Sequence, residues 1–165
     1  MLVRPARRED AAALADVHMR TWQTAYEHVF GAERLARIDE ERRRAQWEEW
    51  LTDPQPGRQV FVAEEGERAV GFASVGDNRD EAGKGELFAI YVLPDAWGSG
   101  AGSALMAAAL DALRGYSSAT LWVLEDNPRA RRFYEREGWI LDGGRREEEI
   151  LGVTVAEVRY RITFD

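Results

Sequence analysis

The stretch from Glu86 to Leu113 reads E-L-F-A-I-Y-V-L-P-D-A-W-G-S-G-A-G-S-A-L-M-A-A-A-L-D-A-L, and it decides the fold. Leu87 to Leu93 is an unbroken apolar, β-favouring run, which predicts a strand buried on both faces. Pro94 ends it, because proline cannot donate to a central ladder. Gly98, Gly100 and Gly102 then alternate with Ser99 and Ala101, and from Ser103 the composition turns to Ala, Leu and Met, strong helix formers. A glycine-rich strand-to-helix turn presents backbone N–H groups with no intrahelical partner at the positive end of the helix dipole. That is a seat for an anion, above all a phosphate.

Working outward, Leu2–Ala6 reads as an edge strand, and Arg8-Glu9-Asp10 opens a helix with Ala13, Leu14 and Val17 on its inner face and Thr21 and Trp22 further on. Trp22 and Tyr26 stand four apart and share a face if the helix reaches them. A second helix is expected over Glu33–Leu51, with Asp39–Arg44 as its solvated side, closed by the turn residues Asp53-Pro54-Gln55-Pro56-Gly57. Gln59–Glu64 and Ala69–Val75 read as a hairpin about Glu65-Gly66-Glu67-Arg68, and Gly76–Gly85 as a loop. Beyond the central helix, Ala119–Leu124 reads as a buried strand. Asn127-Pro128 then caps a helix that carries Ala130, Phe133 and Tyr134 inward and stops at Gly138. Trp139–Leu141 is expected as a short strand, Gly143–Arg146 as a loop and Val153–Phe164 as the last strand.

The chain has 165 residues and shows no linker or internal repeat, so residues 1–165 are expected to form one domain. No apolar run approaches the ~20 residues of a membrane span, and the first residues lack a signal-peptide core, so a cytoplasmic protein is expected. The absence of cysteine removes disulfides, thiolate metal sites and a Cys nucleophile together. A net charge of −8 speaks against a broad nucleic-acid surface.

This order of elements resembles the GNAT acetyltransferase family over nearly the whole chain. Two stretches carry the resemblance. The glycine turn is similar to the family's R/Q-x-x-G-x-G/A signature. L-W-V-L-E-D-N-P-R-A-R-R-F-Y-E-R-E-G-W is similar to its pattern of Asn, a helix bearing F-Y, then G-F or G-W. The resemblance implies an α/β (α+β) fold, a mixed central sheet of about seven strands flanked by about four helices, with a splayed central strand. Trp97 departs from the signature, standing where the family has Arg or Gln, so phosphate binding there rests on backbone donors.

The family's activity implies direct transfer of acetyl from acetyl-CoA to an amine in a ternary complex. No metal and no nucleic-acid or membrane partner is involved, and a homodimer is possible. By resemblance, the pyrophosphate lies on Gly98, Ser99, Gly100, Ala101, Gly102 and Ser103. The pantetheine runs along the main chain of Ile90, Tyr91 and Val92, beside a strand that a β-bulge would splay. Asn127 contacts the cofactor as well as capping its helix. Tyr134, seven residues on, is the implied general acid for the departing thiolate. Glu86, eleven residues before Trp97, is the candidate general base, matching the histone-acetylating branch. Trp22, Tyr26, Trp47 and Trp50 are candidates for an aromatic acceptor wall, with Trp22 and Tyr26 in a W-x-x-x-Y pattern resembling small-molecule acetyltransferases. His18 and His28 lack partnered carboxylates and receive no role. The expected acceptor is a small-molecule primary amine of polyamine, aminoglycoside or amino-acid-like type. The alternatives are a protein or peptide N-acetyltransferase and a non-catalytic acyl-CoA-binding module. A dinucleotide fold wants a third glycine where Ser103 stands, and a P-loop wants G-K-S or G-K-T, which is missing.

Overall fold

The computed structural model describes all residues from Met1 to Asp165. The elements in chain order are β1 (Leu2–Pro5), α1 (Ala11–Ala25), α2 (Glu27–Phe30), α3 (Ala32–Ala36), α4 (Glu40–Thr52), β2 (Gln59–Glu65), β3 (Arg68–Asp77) and β4 (Gly85–Val92). They continue as α5 (Ala101–Leu113), β5 (Ser118–Leu124), α6 (Pro128–Arg136), β6 (Ile140–Ile150) and β7 (Val153–Thr163). One seven-stranded sheet results, in the order β1-β2-β3-β4-β5-β7-β6. Every pairing is antiparallel except that of β4 with β5.

The period-two alternation of the strands sorts the core onto two faces. Ala63, Ala73, Val75 and Leu87 point to α5, against Leu105, Met106 and Ala109. Val62 and Phe72 point the other way, to Leu14 and Val17 of α1 and Trp47 of α4. A third cluster joins the end of α1 to the far end of the sheet through Tyr26, Phe30, Leu35, Leu124 and Val155. Close approach is enforced at Gly71, where a Cβ would stand 2.6 Å from the Tyr91 carbonyl oxygen.

Two features of β4 position the site. Its pairing with β5 covers only Gly85↔Ala119 and Glu86↔Thr120, after which the two strands diverge. On its other side, Val75 opposes Leu87 while Ser74 opposes Ala89, so Phe88 is an extra residue in a β-bulge. The apolar run predicts burial on both faces. Only Gly85–Leu87 is buried, and Phe88–Val92 is half-buried because the neighbouring strand has left.

Two other expectations need correction. The helix expected over Glu33–Leu51 is broken, with Arg37–Asp39 between α3 and α4. Asp39 caps α4, its carboxylate accepting from the Arg42 amide at 3.2 Å. What reads as the start of a solvated charged face is therefore a helix start. Gly143–Arg146 is not a loop but the middle of β6, which bulges between Leu141 and Arg145 and turns into β7 at Leu151-Gly152. The two glycines mimic turn chemistry. Gly144 is there because Arg159 of β7 lies across it, with the nearest guanidinium atom 2.7 Å from where a Cβ would stand.

Candidate active site

The turn ahead of α5 holds the geometry its glycines imply. Gly98 and Gly100 have φ of 80° and 92°, left-handed values that disfavour a side chain, and both open onto empty space. α5 begins at Ala101, two residues earlier than the composition change at Ser103. Within the turn, Ser99 donates its amide to the Ala96 carbonyl at 3.2 Å, and Ala101 donates to the Ser99 hydroxyl at 3.3 Å. The amides of Gly98, Gly100, Gly102 and Ser103 have no protein acceptor. Four donors converge at a helix N-terminus with nothing to bond.

The adjoining edge of β4 is also open. Leu93 donates to Val70 at 2.8 Å, which makes Gly71↔Val92 a non-hydrogen-bonded pair of the antiparallel ladder. By alternation, the main-chain groups of Ile90 and Val92 face the gap toward β5, whereas those of Tyr91 face β3. The strand thus offers the main chain of Ile90 and the amide of Val92 to a ligand, the Val92 carbonyl being taken by the Trp97 indole. The expectation for the Tyr91 main chain does not fit this register.

Trp97 is fixed at the junction. Its indole Nε1 donates to the Val92 carbonyl at 2.9 Å, and the Arg129 guanidinium lies 3.6 Å from its ring centroid. Arg129 comes from the first turn of α6 and forms no ion pair. Its pKa is lowered by partial burial, with Arg136 and Arg132 of the same helix face adding to the shift. The sequence pattern gave no reason to single out Arg129, because only the packing of α6 beside α5 brings it to the turn.

Tyr134 is buried on α6, among Phe133 and Tyr160, with no protein partner for its hydroxyl. Burial pushes its phenol well above the usual range, with Tyr91 adding to the shift. The group therefore keeps its proton at neutral pH. Asn127 caps α6, its Oδ1 accepting from the Ala130 amide at 3.2 Å, and its Nδ2 donates to the Tyr26 hydroxyl at 3.2 Å. Trp22 packs on Tyr26 and Phe30 and donates Nε1 to the Tyr91 hydroxyl at 3.1 Å. Trp22 and Tyr26 thus spend their polar atoms inside an aromatic cluster that ties α1 to β4 and α6. Neither borders the cavity between α1, α4 and the sheet.

The wall candidates that do are Trp47 and Trp50. They border a cavity of about 340 Å³ between α1, α4 and the sheet, closed by Phe61, Phe72, Phe88 and Ala89. His18 lies at its inner end, its ring 5.4 Å from that of Tyr91 and flanked by Trp22, Trp47 and Phe72. Burial lowers the His18 pKa to about 3, with Arg43 contributing. The ring is neutral, and its Nδ1 is placed to accept from Arg43 at 3.4 Å.

A depressed folded-state pKa gives stability that is complete above the unfolded value of 6.5 and is lost as pH falls toward about 3. At pH 5 the loss from this residue is about 2 kcal/mol. Thermal unfolding at pH 7.5 and pH 5 is expected to show a clearly smaller acid loss in His18→Phe than in the natural chain.

Two carboxylates face this side. Glu86 is fully buried, held by the Arg79 guanidinium at 2.6 Å and the Arg79 amide at 3.0 Å. The candidate base is therefore half of a buried ion pair, because the Asn78–Lys84 loop folds Arg79 over it. Glu157, on β7 opposite Leu124, is the second. Its pKa is raised by burial and by its hydrogen bond with Glu148, against the Arg146 guanidinium at 2.9 Å. Its charge reaches Tyr26, Tyr91 and Arg79. In the sequence Glu157 is an acid in an ordinary strand, with nothing to mark it. Among the described residues no cluster of acids or histidines is arranged to hold a metal.

Residues 14–139 match the family model described as the acetyltransferase (GNAT) family. The chain belongs to that family. An uncharacterized N-acetyltransferase of Bacillus subtilis, YuaI, is 36% identical over 131 residues, covering 76% of this chain and 73% of that protein. Another from Mycobacterium tuberculosis, Rv2669, is 36% identical over 141 residues, covering 82% and 86%. Among solved structures, YncA from Salmonella typhimurium, a putative acetyltransferase with acetyl-CoA, superposes with a TM-score of 0.73 at 22% identity over 100% of this chain and 94% of that one. A putative phosphinothricin N-acetyltransferase gives 0.77 at 19% identity over 99% and 98%. At that identity the solved structures speak to the fold. No helix is long and apolar enough to cross a membrane.

Proposed function

We propose that this enzyme moves acetyl from acetyl-CoA to the amine of a small molecule, directly and within a ternary complex. The observation that carries the reading is the continuity of two sets of unpaired backbone groups. The four free amides at Gly98, Gly100, Gly102 and Ser103 adjoin the gap-facing main chain of Ile90 and amide of Val92. A ligand that ends in phosphates and continues as an amide-bearing arm matches both, and the sheet itself leaves the gap between β4 and β5. Bound there, acetyl-CoA supplies an activated thioester, so that the C–N bond forms as the C–S bond breaks and the sulfur leaves with the electron pair.

The chain's own groups then handle charge and protons. The free amides and the α5 dipole hold the pyrophosphate. Arg129, laid on Trp97, stands in for the side chain that the signature lacks and bonds a phosphate oxygen. Tyr134 gives its proton to the departing sulfur, and Asn127 keeps α6 in place through its cap. Glu86 takes the amine proton, through water, when the largely exposed Arg79 side chain turns outward. A second reading gives that proton to Glu157, favoured by its raised pKa and its reach to Tyr26 and Tyr91.

The phosphate seat is tested by Arg129→Ala. Loss of one charge-assisted bond is expected to weaken acetyl-CoA binding about tenfold, read by calorimetry. The loss should shrink at high salt. An unchanged affinity would remove Arg129 from the seat. Binding that is absent even at millimolar acetyl-CoA would overturn the whole reading.

A further inference from the structure

The cavity beside β4 is selective in charge. Its apolar walls are Trp47, Trp50, Phe61, Phe72 and Phe88, and its polar lining is limited to His18, Arg58, Gln59 and Ser74. No carboxylate lines it, and the buried histidine is neutral. At about 340 Å³ it lies at the small end of ligand pockets, which run from about 300 to 1,000 Å³.

Arg58 is the unusual member. It is half-buried, its guanidinium lies 4.1 Å from the Phe88 ring centroid, and its side chain has neither a hydrogen bond nor an ion pair. On the same ring lies Arg79, at 5.2 Å. Glu86 is the nearby carboxylate acting on both guanidiniums, and its hydrogen bonds all go to Arg79. Asp77, which borders the neighbouring hollow with Arg58 and Arg79, is engaged by the Tyr116 hydroxyl. Arg58 is thus the one charged side chain lining the apolar cavity, and neither Glu86 nor Asp77 bonds it. A half-buried guanidinium without a partner is a gap in a network that a ligand anion would complete.

From this geometry we infer that the acceptor is a free α-amino acid with a large apolar or aromatic side chain, its carboxylate seated on Arg58. The inference rests on the acetyltransferase reading above. In such a molecule the amine sits one carbon from the carboxylate. Bonding to Arg58 therefore carries the amine toward Glu86, whose partner Arg79 lies on the same Phe88 ring as Arg58. The side chain fills the aromatic cavity. Of the three acceptor types expected from the sequence, polyamines and aminoglycosides bring further ammonium groups toward Arg43, Arg58 and Arg79, and no carboxylate lines the cavity to receive them.

The test measures both binding and turnover on the full chain. L-Phenylalanine, its decarboxylated analogue phenethylamine, L-phenylalaninamide and spermidine are titrated in the presence of CoA, following tryptophan fluorescence and heat. CoA release from acetyl-CoA is scored with the same four. Phenylalanine is expected to bind at least tenfold tighter than phenethylamine and to give at least tenfold higher kcat/KM, with spermidine weakest. Arg58→Leu should collapse the phenylalanine-to-phenethylamine ratio to near one, and Arg58→Lys should restore part of it. Equal binding of phenylalanine and phenethylamine by the natural chain overturns the proposal, and so does a ratio unaffected by Arg58→Leu. Preference for phenylalaninamide would give the site to peptide N-termini and also overturn it. Turnover of spermidine or phenethylamine without that preference leaves the acetyltransferase standing and the amino-acid proposal refuted. Arg58-dependent phenylalanine binding with no CoA release supports the site and refutes the acetyltransferase.

Discussion

Tyr134→Phe is expected to lower kcat by about 10²-fold, the lower end of what a positioned general acid contributes. The affinity for acetyl-CoA should change by less than about twofold, because the ring keeps its packing and only the hydroxyl goes. The tyrosine oxygen has no protein partner, so its removal leaves no orphaned donor or acceptor and stability should be nearly unchanged. Burial raises the phenol's pKa, so the proton is present throughout an ordinary assay range. The natural enzyme should accordingly show no alkaline loss from this group below about pH 9. A phenylalanine variant with an unchanged kcat at every pH would take the acid role from Tyr134.

Glu86→Gln is expected to cost a similar factor of about 10² in kcat. Gln keeps the shape and still accepts from Arg79, so the fold is disturbed far less than by truncation. The paired variant is Glu157→Gln. If the proton passes through Glu86, this second variant keeps its rate. If the rate is lost in Glu157→Gln instead, together with the acid limb of the pH–rate profile that its burial-raised carboxyl would give, the second reading holds and Glu86 serves to hold Arg79.

The parts of this molecule legible in sequence are those fixed by local chemistry. The glycine turn, the Asn127-Pro128 cap, the Gly138 stop and the hairpin at Gly66 each need particular residues at particular dihedrals, and these are visible in the letters. The bulge expected in β4 is present at Phe88, although its position is set by pairing with β3. The errors fall where tertiary structure overrides local signal. Gly143 and Gly144 look like a loop because nothing in sequence announces that Arg159 will lie across them. The break at Arg37–Asp39 was hidden because Asp39 opens a charged run and caps a helix with the same carboxylate.

The candidate site divides in the same way. Tyr134, Asn127 and the turn stand at readable spacings. Arg129 against Trp97, Arg58 over Phe88, and Glu157 beside the Tyr26 cluster join residues that lie between 30 and 131 positions apart in the chain. No periodicity encodes such pairs. His18 is instructive, since its lack of a carboxylate partner argued for no role. Burial in an aromatic box, with Arg43 beside it, keeps the ring neutral.

Direct transfer is tested by a mass measurement on one quenched reaction of the full chain with acetyl-CoA and L-phenylalanine. Both the protein and the small molecules are weighed. The expected result is one acetyl group on the amine of the acceptor, free CoA in equal amount, and an unmodified protein at every time point. An acetylated protein that forms before product would contradict direct transfer, and bound acetyl-CoA with no acetylated acceptor from any amine would mark a binding module instead.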